Sequence, residues 1–113
     1  MTMTLSDIPD LQAGIIVEAI LERNRQDEKW GVRNHRPNDW TAILAEEVGE
    51  VAKAGLEVYP VNQRLISVDQ ALKEWRDELV HVMATAMAAI EYYDRELGGK
   101  NGSERVLGEV ETG

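Results

Sequence analysis

Apolar residues recur at helical spacing in three stretches of the chain, and the polar residues between them mark where each stretch ends. In the first, from about Asp10 to Asp27, Ala13, Ile16, Val17, Ile20 and Leu21 gather opposite a face with Glu18, Glu22 and Arg25, which predicts an amphipathic helix. The segment KWGVRNHRPND is polar, holds Gly31 and Pro37 and has no period of its own, so it predicts a connecting loop. A second helix is predicted from about Asp39 to Val58, capped by Asn38 or Asp39 and stopping around Pro60. Ser67 and Gln70, three apart, are spaced as a capping box for a third helix that runs to about Leu97, where Gly98 and Gly99 end it. No strand pattern and no internal repeat competes with this reading.

Acids interrupt the apolar pattern of the second helix, and a helical wheel separates them. With Trp40 as origin at ~100° per residue, Ile43, Leu44, Val48 and Val51 define an apolar arc between ~300° and ~80°, and Glu47 lies inside it at ~340°. Glu50, at ~280°, sits at the arc's edge, while Glu46, Lys53 and Glu57 fall on the wetter side. Glu47 and Glu50 are therefore the inward pair, a turn apart and able to share one divalent ion. Two like charges about 4 Å apart repel by roughly 4 kcal/mol at an effective dielectric near 20, so converging acids call for a neutralising cation.

The third helix repeats the device. Between Glu78 and Glu91 only His81 and Thr85 depart from the apolar and small set, so this stretch should be buried and His81 with it. Glu78 precedes His81 by three residues on the edge of the arc formed by Leu72, Trp75, Leu79, Val82 and Ala86. An ExxE pair and an ExxH pair on two helices can then face each other across a cleft. Asp77 and Glu74 point away from that arc and read as solvated.

Composition narrows the possibilities further. With 113 residues, the chain suits one core, so residues 1–97 are expected to form a single all-α domain, with 98–113 as a loosely held tail. Three long antiparallel helices are too little for a closed four-helix-bundle core, so a second copy is expected to complete it, as a homodimer or homotetramer. A net charge of −9 opposes nucleic-acid and anionic-membrane partners, and a phosphorylated ligand would need a metal to reverse the local sign. The absence of cysteine leaves Glu, Asp and His as metal ligands and fits a reducing compartment. The amino terminus has no basic region followed by an apolar core, and no run approaches a membrane span, so a cytoplasmic protein is expected.

The order RQDEKWG, LAEEVGEVAKA and WRDELVHVMATAMAAIE resembles the MazG-like members of the all-α nucleoside triphosphate pyrophosphatase superfamily, over roughly Glu22 to Glu91. The shared signature is EExxE followed by ExxD, here Glu46, Glu47, Glu50 and then Glu78, with His81 where that family usually has Asp. The resemblance implies hydrolysis of a nucleoside triphosphate between the α and β phosphates, giving monophosphate and pyrophosphate. It also implies a Mg²⁺ or Mn²⁺ site built on Glu47, Glu50, Glu78 and His81, with imidazole favouring Mn²⁺. Glu46 is the candidate for orienting or deprotonating the attacking water. Lys29 and Trp30 of the KWG motif, and Lys53, are candidates for phosphate and base contacts. Two rivals remain open: a di-iron carboxylate bundle using Glu78 and His81, and an inactive helical interaction module.

Overall fold

A computed structural model of the chain describes residues 2–58 and 66–98, and every element in them is helical. A short 3₁₀ turn, Leu5–Asp7, precedes α1 (Asp10–Trp30), α2 (Pro37–Leu56) and α3 (Val68–Tyr92), and a π-helical turn, Tyr93–Leu97, extends α3. The expected helix stop at Pro60 and the tail beyond Gly98 lie outside the described residues. No helix among the described residues is long and apolar enough to cross a membrane.

The helix ends differ from expectation in three places, each for a local reason. Gly31, at φ 75°, closes α1 through its N–H to the carbonyl of Asp27, so Lys29 and Trp30 are helical and not part of the loop. Pro37 occupies the first turn of α2, where its fixed φ is already helical and its missing N–H costs nothing. The helix therefore starts two residues before Asp39, with Arg36 at the cap and no side-chain cap bond from Asn38 or Asp39. The Gln70 N–H donates to Ser67 Oγ at 3.0 Å, as the capping box requires, but the Gln70 side chain turns to Glu74, so half the box forms.

α3 is the central element: α1 and α2 each pack on it and not on one another. α2 runs antiparallel to α3, since Trp40 meets Tyr92 with ring centroids 6.5 Å apart while Gly55, at the other end, faces Trp75. α1 runs alongside in the same direction as α3, with Glu18 against Arg76 and the loop after α1 reached by Arg95. The buried apolar set is Ala19, Trp40, Val58, Ala71, Ala84 and Ala88, in which small residues let the helices approach closely.

The orientation of α1 reverses the expected one. Its buried residues are Ala19, Glu22, Arg23 and Gln26, whereas Ile16, Val17, Ile20 and Leu21 are exposed. The groups of α3 that meet α1 include the charged Arg76 and Glu91. Arg76 donates two hydrogen bonds to Glu18, at 2.7 and 3.0 Å, and Arg23 donates two to Glu91, at 2.9 and 3.1 Å. Those pairs turn the polar side of α1 inward and leave its apolar arc facing out.

Candidate metal centre

Because α1 and α2 lean on α3 without meeting, a groove of about 800 Å³ runs between them with α3 as its floor. α1 contributes Glu18, Leu21, Glu22 and Arg25, α2 contributes Glu50, Lys53 and Ala54, with Glu57 just past its end, and the floor holds Glu78 and His81. Asp77 and Glu74, expected to be solvated, are half-buried and also line this groove.

Glu47 of α2 and Glu78 and His81 of α3 are half-buried and bring one ligand atom each to within 4.8 Å of one another. His81 Nδ1 lies 3.3 Å from Glu78 Oε2, the separation that their i,i+3 spacing on one helical face produces. The wheel position of Glu47 inside the apolar arc of α2 corresponds to this inward placement. Glu50 is exposed and stands in the groove lining, outside that close trio. Glu46 is exposed and belongs to neither the trio nor the lining.

Of the expected substrate contacts, only Lys53 lines the groove, where it is exposed and forms no ion pair among the described residues. Lys29 and Trp30 sit at the far end of α1, outside the lining; Trp30 is 56% exposed, with Lys29 Nζ 4.7 Å from its ring centroid. Two further cations reach the groove that the sequence did not single out for chemistry. Arg25 of α1 pairs with Glu22, and Lys73 of α3 donates to Asp77 at 2.8 Å. Each of the three helices thus brings one exposed cation to a groove otherwise rich in acids.

The polar face of α1 is the part that sequence reasoning missed. Glu22 is 8% exposed, and its Oε2 accepts from Gln26 Nε2 at 3.5 Å and lies 3.8 Å from His81 Nε2. Gln26 in turn accepts from Arg33 Nη2 at 3.0 Å, and the Arg33 guanidinium lies 5.2 Å from the ring centroids of both Trp30 and Trp40. Burial, then the nearby Arg23, pull the Arg33 pKa below its ordinary value. A usable signal was present: Ala19, Glu22, Arg23 and Gln26 recur at i, i+3, i+4 and i+7, a contact face whose one small residue permits close approach. No family model, no curated protein and no solved structure matches the chain.

Proposed function

We propose that the chain is a metal-dependent nucleoside triphosphate pyrophosphohydrolase of the MazG-like type, converting a (deoxy)nucleoside triphosphate and water to the monophosphate and pyrophosphate. The observation that supports this reading most is the meeting of Glu47, from the EExxE run, with Glu78 and His81 beside a groove that carries one cation from each helix. Two carboxylates and an imidazole within 4.8 Å of one another fit a divalent ion, and the nitrogen donor suits Mn²⁺ better than Mg²⁺. Glu47, Glu78 and His81 would hold it, and a bound ion supplies Lewis-acid charge to phosphate oxygens and acidifies water.

The chain's own residues account for the rest. Lys53, without an ion pair among the described residues, is free to meet the phosphates, and Arg25 and Lys73 can exchange their carboxylate partners for phosphate oxygens. Glu50 is the acid of the EExxE run that lines the groove, so it is assigned the proton of the attacking water in place of Glu46. The exposed arc of Ile16, Val17, Ile20 and Leu21 is assigned to a second copy, which completes a four-helix-type core.

The test is product analysis. Purified protein with Mn²⁺ or Mg²⁺ and a panel of triphosphates is expected to release monophosphate and pyrophosphate, and Glu78→Gln to abolish release. Orthophosphate as the product, or full activity in that variant, overturns the assignment. A di-iron reading is favoured by one observation, the 3.3 Å approach of Glu78 and His81 in an ExxH pair. Anaerobic Fe²⁺ loading followed by air should then give a near-ultraviolet absorbance, and a flat spectrum dismisses it.

A further inference from the structure

Both ring nitrogens of His81 face a carboxylate, and the two carboxylates come from different helices. Nδ1 lies 3.3 Å from Glu78 Oε2, one turn earlier on α3, whereas Nε2 lies 3.8 Å from Glu22 Oε2 on α1. The two sides are not equivalent. Glu78 belongs to the trio with Glu47, and two donors about 2.1 Å from one ion at a right angle lie about 3 Å apart, close to the observed Nδ1 to Oε2 separation. Glu22 is outside that trio, is the more buried of the two, and its Oε2 accepts from Gln26 Nε2 at 3.5 Å.

We infer that Glu22 is a positioning residue for the metal centre: it accepts the Nε2–H of neutral His81 and so leaves the Nδ1 lone pair turned toward Glu78. The inference rests on the metal-centre reading above and adds α1 to it. A metal-ligating histidine almost always donates its other ring N–H to a carboxylate, carbonyl or water, which fixes tautomer and ring orientation and raises ligand basicity. The 3.8 Å separation exceeds the 2.7–3.2 Å of an N–H···O bond, so the inferred bond requires ring and carboxylate to approach by at least about 0.6 Å. An imidazole held this way makes the site selective for ions that accept nitrogen, Mn²⁺ and Zn²⁺ ahead of Mg²⁺.

The test is a double-mutant cycle read by Mn²⁺ binding, using loss of the free-ion electron paramagnetic resonance signal on full-length protein. Glu22→Gln is expected to weaken Mn²⁺ binding by about 10- to 100-fold in the parent chain. The same change in a His81→Asp background, where there is no imidazole to orient, is expected to cost at least about fivefold less. An equal loss in both backgrounds means that Glu22 acts only through its charge and overturns the inference. Pulsed resonance on the Mn²⁺-loaded parent must also show a directly bonded nitrogen, a result independent of whether any variant folds; its absence overturns the inference as well. A parent chain that binds no Mn²⁺ overturns the metal-centre reading itself.

Discussion

Single side chains carry both the proposed chemistry and the ties between helices. Glu47 was legible because an acid inside an apolar arc has no solvent-facing alternative, and Glu78 and His81 were legible through their spacing of three. Glu22 was not, because an apolar arc on the opposite side of the first helix predicts that it faces water, and only the charges of α3 reverse that. If the trio binds metal as proposed, Glu47→Gln should weaken Mn²⁺ binding by more than the about 10- to 100-fold expected for the supporting Glu22, as measured by calorimetric titration. Arg23 is 5% exposed and bridges Asp27, at 2.5 Å, and Glu91, at 2.9 Å. Burial works against its charge, but the hydrogen bonds it donates to both carboxylates outweigh that and raise the Arg23 pKa. Arg23→Ala should cost about 1.5–3 kcal/mol in urea unfolding with an unchanged m-value, the partners being partly solvated. The hydrogen bonds from Arg76 hold the Glu18 carboxyl below its ordinary value. A lowered folded pKa gives stability that is present above the ordinary carboxylate range and lost as pH falls through it. The urea midpoint of Glu18→Gln should therefore fall less steeply on acidification than that of the parent, and superimposable profiles would refute this.

At the scale of elements, helix count and order were readable from period alone, and the ends were readable where one residue type dictates the backbone. Ser67 is the clearest instance, since its hydroxyl has a free backbone N–H to accept from wherever a helix begins. Pro37 misled, because the polar loop around it conceals that proline is at home in a first helical turn. Gly31 combines φ 75° with an extended ψ of 178°, a region that is essentially glycine's alone, and an added Cβ would meet nothing within 4 Å. Gly31→Ala should accordingly destabilise by about 1–3 kcal/mol through backbone strain without any clash, which thermal unfolding beside a conservative surface change will register. The same substitution at Gly14, an exposed α1 position with an ordinary backbone, should instead stabilise by roughly 0.5–1 kcal/mol.

At the scale of the whole molecule, the arrangement of helices was the least legible part, because period fixes which residues share a face but not which neighbour that face meets. Ile16, Val17, Ile20 and Leu21 of α1 stand exposed, and Trp75, Leu79, Met83 and Ile90 of α3 are at least partly so. If a second copy covers α1, Val17→Asp with Ile20→Asp should convert an oligomer to a monomer in light scattering, leaving helix content unchanged by circular dichroism. The lack of packing between α1 and α2 has a separate consequence for how the protein comes apart. α1 is joined to the rest by the link 31–36, and its ties to α3 include the ion pairs of Glu18 and Arg23, whereas α2 and α3 share the more extensive contact, with Trp40 of α2 buried beside Tyr92. Amide protons of α1 should therefore exchange with deuterium through a local opening that leaves α2 and α3 protected, so the molecule has two cooperative unfolding units. If Glu47, Glu78 and His81 hold Mn²⁺, the ion should slow exchange in α2 and α3 by the whole of its binding free energy, and in α1 only by the part that Glu22 contributes.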